Sequence, residues 1–362
     1  MKIHLVSGGC GFVGRNMVRR LYETTNDRVL FIDNLLVGTH PSTWLDYPQT
    51  GNNKDIEIFG DGRLLFLKDD FRNFLREITA DKDFLNKKYD LEMDGFADVF
   101  HFAAIVGGRA TIDGDPMMVA QDLAIDAEFF FWVCRQKPER VLYPSSSAAY
   151  PVNLQTEDGA IALSETDIDF NNMGQPDMTY GWSKLTGEYL AKIAAEYYDL
   201  SVTCIRPFSG YGEDQNLTYP IPAIARRIAN REDPVEVWGT GKQGRDFVHI
   251  DDVLDCILIA MDKIKDGSAI NIGMGKLTSF IEIIGVLTDI AGYSPEIKRL
   301  LDKPVGVHAR YCNMDYVRET LGWEPKISVR EGMERVYKAA LAKLESEKKH
   351  DKNCLFWTRT QI

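Results

Sequence analysis

A glycine-rich turn near the start of the sequence places the strongest constraint on the fold. The stretch SGGCGFVGRNMVRRLY, residues 7–22, follows a short apolar run and begins an amphipathic one. Within it Gly9, Gly11 and Gly14 have the spacing G-x-G-x-x-G, and Gly8 adds a glycine in front. Glycines permit a tight strand-to-helix turn, and the free N–H groups at a helix start attract phosphates. The turn therefore predicts a strand, a helix and a dinucleotide site between them.

Acids that end later apolar runs support this interpretation. Asp33 ends the run RVLFID and lies about 20 residues beyond the glycines, where a carboxylate can hold the adenine ribose. Because a carboxylate repels a 2′-phosphate, NAD is expected rather than NADP. Asp70, at the end of LLFLKDD, is expected to meet the adenine edge.

Apolar runs alternate with amphipathic stretches over the first 208 residues. The runs typical of buried strands are 2–9, 28–34, 64–70, 98–104, 140–146 and 201–208, and helical patterns lie at 15–24, 115–136 and 180–198. The alternation predicts an α/β protein with a Rossmann-type doubly wound parallel sheet, covered by helices on both faces. Residues 39–63 are rich in Pro, Gly, Asn and Asp, which indicates a long irregular insertion.

The pattern becomes irregular after residue 208 and regains a strand–helix rhythm around 245–261. This pattern indicates that the chain leaves the sheet and later returns to it, and it predicts two domains. We expect a dinucleotide-binding domain at 1–207 and 245–270, and a smaller C-terminal α/β lobe for substrate at 208–244 and 271–340. A charged helical tail is expected at 341–362.

Composition excludes several classes of function. The formal net charge is −12, so nucleic acid is not an expected partner. The six cysteines form no C-x-x-C pair and have no histidine at metal-ligand spacing, so no metal site and a reducing, cytosolic compartment are expected. No apolar run reaches the length of a membrane span and no signal peptide is visible.

The stretch TYGWSK places Tyr180 and Lys184 four residues apart, on one face of a predicted helix. A tyrosine titrates near 10 in water, and a neighbouring ammonium together with a positive nicotinamide ring favours the phenolate. Such a phenolate can take a proton from a hydroxyl while hydride leaves the same carbon. The serines of YPSSSAAY follow the fifth predicted strand, at the sheet edge where ligands bind, and one of them can hydrogen-bond that hydroxyl.

At this point the chain resembles the extended short-chain dehydrogenases/reductases, a family of nucleotide-sugar epimerases and dehydratases. The matching stretches occur in the family's order between about residues 2 and 340. They are SGGCGFVG, IDN, HFAA (101–104), SSSAAYP (145–151), YGWSK, IRPFSGYG (205–212), GTGKQGRDFVHIDDV (239–253), NIG (271–273) and LGWEPKISVREGM (321–333).

The resemblance implies roles for individual residues. Tyr180 resembles the catalytic base and Lys184 its partner. The family's catalytic Ser/Thr lies four residues before a tyrosine that matches Tyr150, which selects Ser146, with Ser145 and Ser147 as rivals. The expected cofactor residues are Gly8, Gly11, Phe12, Val13, Gly14, Asp33, Asn34, Asp70, Phe71, Phe102, Ala103, Ala104, Tyr180, Lys184 and Pro207. The expected substrate residues are Val106, Gly107, Ser146, Ser147, Ser209, Arg245 and Arg310, the two arginines gripping a diphosphate.

The same resemblance leaves several reactions open. A C4 epimerase, which needs only Ser, Tyr, Lys and tightly held NAD, is the simplest. The 4,6-dehydratases carry an acid just after the catalytic Ser/Thr, where this chain has Ser147, Ala148 and Ala149. AAIVGG (103–108) and YP (150–151) are similar to the GDP-fucose synthases and GDP-mannose 3,5-epimerases, but the cysteine of that subgroup is missing and Tyr219 stands where a histidine is expected.

Two further expectations concern catalytic activity and the oligomeric state. A non-catalytic NAD sensor commonly loses the Tyr or the Lys, and both are present here. Members of the family are usually dimers joined by a four-helix bundle, which would use the helices at 115–136 and 180–198. A homodimer that acts on a nucleotide-diphosphate sugar is therefore expected.

Overall fold

The computed structural model describes the backbone of residues 2–107 and 109–359, and the side chains of these residues except 109–111 and 349–359. The strands of this part of the chain are β1 (Ile3–Ser7), β2 (Arg28–Asp33), β3 (Gln49–Asn53), β4 (Ile56–Phe59), β5 (Leu64–Lys68), β6 (Asp98–His101), β7 (Arg140–Pro144), β8 (Val202–Pro207), β9 (Ser209–Tyr211), β10 (Val235–Trp238), β11 (Gly244–Arg245), β12 (Phe247–His249), β13 (Asp266–Ile272), β14 (Thr278–Ser279), β15 (Ile297–Leu300) and β16 (Ala309–Arg310).

The helices include two very short ones before α6 and one very long one at the end. They are α1 (Phe12–Thr24), α2 (Phe71–Ala80), α3 (Phe84–Tyr89), α4 (Arg109–Gly114), α5 (Pro116–Val119), α6 (Asp122–Gln136), α7 (Met178–Tyr198), α8 (Pro220–Ala229), α9 (Ile250–Lys263), α10 (Phe280–Ala291), α11 (Asp315–Leu321) and α12 (Val329–Arg359). No helix of the described chain is both long and apolar enough to cross a lipid bilayer.

Nine strands form one sheet in the order β13-β8-β7-β6-β1-β2-β5-β4-β3. The seven strands from β13 to β5 are parallel, and the crossover from β1–β2–β5 to β6–β7–β8 places the switch point between β1 and β6. Every residue of β1 is buried, as expected for a strand covered on both faces. The predicted α/β class and doubly wound parallel sheet are confirmed.

Alternate residues of the parallel strands feed two separate cores. Val6 and Phe31 pack on one face with side chains of α1 and α9, whereas Leu5, Leu30 and Val141 pack on the other with side chains of α2, α6 and α7. This alternation follows from the two-residue period of a strand. It fixes which side of the sheet each helix covers, and it places α6 and α7 together.

A third core lies outside this sheet and is built from residues of the later chain. Apolar side chains of α8, α10 and α12 surround the two-stranded parallel sheet of β10 and β15. The chain leaves the large sheet after β8 and returns to it with α9 and β13, as the sequence pattern indicates.

The expectation of an irregular insertion at 39–63 was wrong. Within residues 39–63, β3 and β4 form an antiparallel hairpin that pairs with β5 and extends the sheet. The hairpin escaped prediction because β3 reads QTGNN, without apolar alternation. At the other end, α12 runs from Val329 to Arg359, so the backbone of residues 341–359 is helical.

Candidate active site

The glycine turn after β1 forms a cradle with no room for side chains. Gly8 has a φ of +64°, and a Cβ on it would lie 2.7 Å from the Ala103 nitrogen, at the end of β6. A Cβ on Gly14 would lie 2.1 Å from the Gly8 carbonyl oxygen. The first turn of α1 therefore lies directly against the loop, and its N-terminus, which has no side-chain cap at Gly11, faces the crevice. Phe12 and Val13 begin this helix.

Asp33 lies across from this cradle at the end of β2. Its carboxylate accepts hydrogen bonds from the amides of Cys10 (2.9 Å) and Leu35 (2.7 Å). Burial raises the pKa of Asp33 above its ordinary value, and these backbone donors lower it. The carboxylate is thus held beside the glycine turn, while Asn34 turns its side chain to the next loop, where it accepts from the Leu36 amide at 3.0 Å.

The end of β6 is joined to the end of β1 through Ser7. The Ser7 hydroxyl accepts from the Ala103 amide at 3.1 Å and bonds with Nδ1 of His101 at 2.9 Å. Phe102, Ala103 and Ala104 are half-buried where the loop leaves the sheet. The predicted cofactor residues of β1, β2 and β6 are therefore neighbours at the switch point of the sheet.

Three other predicted cofactor residues, Asp70, Phe71 and Pro207, lie outside the glycine turn and the ends of β2 and β6. The Asp70 side chain is exposed and caps α2, accepting from the Arg72 amide at 2.9 Å. Phe71 is buried in the core, with ring centroids 5.5 Å from His101 and 6.4 Å from Phe129, so only its backbone is available to a ligand. Pro207 ends β8 and is half-buried.

Together these features fit a dinucleotide. An uncapped helix start accepts a pyrophosphate, glycines allow its close approach, and a carboxylate at the second strand accepts from ribose hydroxyls. Gly8 and Gly14 themselves place no side chain in the cradle, and a Cβ at either position would collide with backbone.

Tyr180 and Lys184 lie one turn apart on α7, as predicted. The Lys184 ammonium is buried, 5.8 Å from the centroid of the Tyr180 ring and 5.4 Å from that of Tyr143. The helix presses on the serine loop at Gly181, where a Cβ would lie 2.3 Å from the Ala148 carbonyl oxygen. This contact holds Tyr180 against the end of β7.

The charge state of Tyr180 results from opposing effects. Burial raises the pKa of the phenol above its ordinary value of 10, and this effect outweighs the Lys184 charge and the hydrogen bond with Ser146, which both lower it. Lys184 acts in the expected direction, but it does not by itself bring the pKa of Tyr180 near neutrality. The pKa of Lys184 is lowered by burial but raised, on balance, by Asp126, Tyr180 and Asp122, so the ammonium stays charged.

The structure distinguishes the three serines after β7. The Ser145 hydroxyl is buried and donates to Glu188, behind the site. Ser147 is buried in the short 3-10 turn that follows. Ser146 is half-buried and accepts from the Ala148 amide at 3.1 Å, and of the three serines it is the one that lowers the pKa of Tyr180. The geometry thus favours Ser146, as the resemblance implies.

Two acids that the sequence analysis missed lie behind Lys184. Asp122 and Asp126 are one turn apart on α6 and both are buried. Asp126 accepts from the Tyr143 hydroxyl at 2.7 Å and bonds with Nε2 of His101 at 3.0 Å. Gly187 makes room for this arrangement, since a Cβ there would lie 1.9 Å from the Tyr143 hydroxyl oxygen. Two acids four apart in the otherwise apolar stretch DLAIDAEFFFWV were the available signal.

The two predicted arginines lie side by side. Arg245 on β11 and Arg310 on β16 are register partners in a parallel pair. Arg245 donates to the Val305 carbonyl at 3.0 Å, and Arg310 forms an ion pair with Asp177 at 2.9 Å. Asp177 immediately precedes α7, so the arginine pair is connected to the helix that carries Tyr180.

The remaining predicted substrate residues lie on loops and strands around this region. Val106 and Gly107 are half-buried after β6, and the next residue, Gly108, lies outside the described residues. Ser209 begins β9, and its amide donates to the Asp246 carbonyl at 2.9 Å. Asp246 is fully buried, with a carboxylate that accepts from the amides of Met274 and Gly275, so it is not a surface partner of Arg245. Tyr219, before α8, is close enough to Tyr180 for their charges to interact, and burial raises the pKa of its phenol.

The fold and this site define a dinucleotide-dependent enzyme of the extended short-chain dehydrogenase/reductase class. Residues 4–273 match the family model described as "NAD dependent epimerase/dehydratase family", and the chain belongs to this family. Its cofactor is accordingly NAD, for which the glycine cradle and Asp33 are suited.

Three known proteins illustrate the similarity. A putative UDP-glucose 4-epimerase of Methanocaldococcus jannaschii is 27% identical over 344 residues, which cover 92% of this chain and 96% of that protein. A probable GDP-L-fucose synthase of Oryza sativa subsp. japonica is 26% identical over 218 residues, which cover 58% of this chain and 65% of that protein. The crystal structure of UDP-glucuronic acid 4-epimerase from Bacillus cereus, with UDP-glucuronic acid and NAD, superposes with a TM-score of 0.72 at 22% identity and covers 94% and 99% of the two chains.

Proposed function

We propose that the protein is an NAD-dependent nucleotide-sugar epimerase that inverts C4 of the sugar through a transient 4-keto intermediate. The observation that carries the proposal is the position of the buried Lys184 ammonium, one turn from Tyr180 on α7 and 5.8 Å from the centroid of its ring, in a fold that also forms the glycine cradle. The similarity to a putative UDP-glucose 4-epimerase over nearly the whole chain supports it.

The roles of the residues follow from their positions. The glycine cradle and Asp33 would hold NAD, which would supply reversible hydride acceptance at the sugar carbon. Tyr180 accepts the proton of the hydroxyl on that carbon and returns it after the keto sugar has turned its other face. Lys184 favours the phenolate by its charge, and the Ser146 hydroxyl hydrogen-bonds the same sugar oxygen. No net oxidation remains after the cycle.

The substrate's diphosphate has a candidate site at the arginine pair. Arg245 and Arg310 occupy facing register positions, and guanidinium groups suit phosphate oxygens. In this proposal the lobe around the third core, at 208–244 and 271–340, holds the nucleotide, and the domain at 1–207 and 245–270 holds NAD. The Asp177 ion pair with Arg310 then joins the diphosphate site to the start of α7.

A second candidate is a nucleotide-sugar oxidoreductase or 3,5-epimerase/reductase of the GDP-sugar type. The AAIVGG loop, the YP dipeptide and the similarity to a GDP-L-fucose synthase favour it. Against it, Ser147 and Ala148 stand before Tyr150, so the thiol that moves protons at the ring carbons in that subgroup is missing. A 4,6-dehydratase is disfavoured because neither Ser147 nor Ala148 is an acid.

The two candidates differ in what they do to the cofactor. Purified protein is offered UDP-, GDP-, CDP- and dTDP-sugars, and products are followed by NMR together with the absorbance of reduced nicotinamide. An epimerase turns over without added NAD(H) and yields two sugars that differ at one carbon. Stoichiometric consumption of NAD(H) supports the oxidoreductase instead, and the absence of any product or nicotinamide reduction with all four classes contradicts both.

A further inference from the structure

Asp122 is a buried acid that the proposed mechanism does not use. It lies in the first turn of α6 and is completely inaccessible to solvent. One carboxylate oxygen accepts from the Ile105 amide at 2.6 Å, in the loop that continues into Val106 and Gly107. The other oxygen is buried and has no hydrogen-bond partner among the described residues. An unpaired buried carboxylate oxygen is costly, and such groups concentrate where function requires them.

Asp126, one turn further on the same helix, makes the contrast clear. Both of its oxygens are bonded, one to His101 and the other to Tyr143. Both acids interact with the Lys184 charge, yet neither forms a direct ion pair with it in the part of the chain that the structure describes. Asp126 is thus fixed by its neighbours, whereas Asp122 presents a free acceptor within the field of Lys184.

We propose that Asp122 is a positioning residue of the active site, with one oxygen fixing the loop of Val106 and Gly107 and the charge of the other setting the pH at which Tyr180 exchanges its proton. The proposal rests on the proposed function in one respect, the role of Tyr180 as base. The groups that interact with Tyr180 are Lys184 and Ser146, which favour the phenolate, and Asp122 and Asp126, which oppose it, together with Tyr219.

The charge of Asp122 itself changes within the physiological range. Burial raises the pKa of Asp122 to about 6, against the opposing effects of Lys184 and the Ile105 amide. Above that pH the carboxylate is ionised, and its charge raises the pKa of Lys184 and disfavours the Tyr180 phenolate. An active site without ligands therefore keeps its phenol protonated at neutral pH.

Asp122→Asn separates the two roles. The amide keeps an oxygen that can accept from Ile105, but it has no charge. Asp122→Ala removes both the acceptor oxygen and the charge. Asp122→Leu is used in place of the alanine variant if that variant does not fold. Glu128→Gln is the matched control, because Glu128 lies on the same helix but pairs at the surface with Arg72 and Arg76.

The charge role is tested without sugar or added cofactor. The tyrosinate absorbance of each protein is titrated from pH 7 to 11, and the curve of the same protein with Tyr180→Phe is subtracted. In Asp122→Asn the midpoint of Tyr180 should fall by about one pH unit, and in Glu128→Gln it should stay unchanged. If any sugar is turned over, the acidic limb of the kcat profile should move in the same direction. An unchanged midpoint in Asp122→Asn overturns the charge role even if the protein is an active epimerase.

The loop role is tested by amide hydrogen exchange. Exchange of residues 104–107 should be faster by at least about tenfold in Asp122→Ala and near the original rate in Asp122→Asn, with the sheet strands unchanged in both. Equal protection of the loop in Asp122→Ala overturns the loop role. Neither measurement depends on which nucleotide sugar is bound, so a failure of the inference is separate from a failure of the proposed function.

Discussion

Two buried charged residues on α7, Lys184 and Glu188, lie one turn apart and differ in their bonding. Glu188 has hydrogen-bond and ion-pair partners, whereas Lys184 has no direct ion pair among the described residues. The Glu188 carboxylate accepts from the Ser145 hydroxyl and from Arg206 at 2.9 and 2.7 Å. Lys184 has no direct ion pair in the described chain and faces Asp122, whose second oxygen is unbonded. The helix α7 thus contributes to two charge clusters. In the completed cluster, around Glu188 and Arg206, both carboxylate oxygens have partners. In the uncompleted cluster, around Lys184 and Asp122, one carboxylate oxygen has no partner among the described residues.

The completed cluster continues across the sheet. Arg206 donates to the Tyr150 hydroxyl at 3.0 Å and to the Glu165 carbonyl at 2.9 Å, and Tyr150 donates to Asn271 at 2.7 Å. These contacts join β7, β8 and β13 to α7. A buried charge with every bond made holds elements in place, whereas one with bonds left open is available for chemistry and reduces stability. Substitutions in the two clusters should therefore affect different properties, stability in one and chemistry in the other.

The largest effect is expected at the uncompleted cluster. Tyr180→Phe should lower kcat by several orders of magnitude, because no other described group is placed to take the hydroxyl proton beside Ser146. Binding of the sugar nucleotide, measured by calorimetry, should survive. Tyr143→Phe, which removes a phenol bonded to Asp126, is the control and should retain most turnover. Full activity of Tyr180→Phe contradicts the mechanism.

In the completed cluster, Glu188→Gln should reduce stability rather than chemistry. Removing one partner leaves Arg206 buried without a counter-charge, and losses of this kind are about 3–5 kcal/mol. Glu347→Gln, in the more exposed pair with Arg226, should lose less than about 1 kcal/mol. Urea unfolding measures both. Similar losses in the two variants would show that the Glu188 cluster does not hold the fold.

In contrast to Glu188→Gln, Asp122→Asn in the uncompleted cluster should increase the free energy of unfolding at alkaline pH. Because the pKa of Asp122 is higher in the folded state, about 6 against 3.8 when unfolded, its ionised form opposes folding. The penalty is absent below pH 3.8 and complete above pH 6. The variant should therefore gain on the order of 3 kcal/mol at pH 8 and nothing at pH 3.8. A gain of equal size at both pH values would mean that the charge is not its cause.

The smallest effect is expected from a substitution on the exposed face of α6 and α7. Leu123 and Phe131 on α6 and Trp182 and Tyr189 on α7 are each at least 40% exposed, at helical spacing. We expect this face to join two copies of the chain. Trp182→Glu should give a monomer by analytical ultracentrifugation with little change in the unfolding free energy of the monomer. Exposed Tyr316→Glu on α11 is the control, and an identical sedimentation of both variants contradicts a seam at α6 and α7.

The sequence predicted the elements whose residues repeat with a clear period. Six of the seven parallel strands follow from short apolar runs and α1 and α7 from helical patterns, whereas β13 was not predicted; Tyr180, Lys184 and the glycines follow from local motifs. The acids behind Lys184 could not be assigned, because Asp122 meets Ile105 and Asp126 meets His101 only through tertiary packing. Phe71 was expected at the cofactor by resemblance, and its side chain lies in the core. Local motifs thus predict candidate ligand-binding groups better than the buried groups that support them.

The hairpin at β3 and β4 has a consequence for association. A parallel sheet that ended at β5 would expose the backbone donors and acceptors of the apolar strand LLFLK to other chains. The added strand β3 consists of Gln, Thr, Gly and two Asn and is largely exposed, and its Asn53 side chain is tied to the Tyr89 carbonyl at 2.6 Å. An outer strand of this composition offers an approaching strand no apolar surface to bury. Removing it should turn a freely dispersed protein into one that aggregates edge to edge.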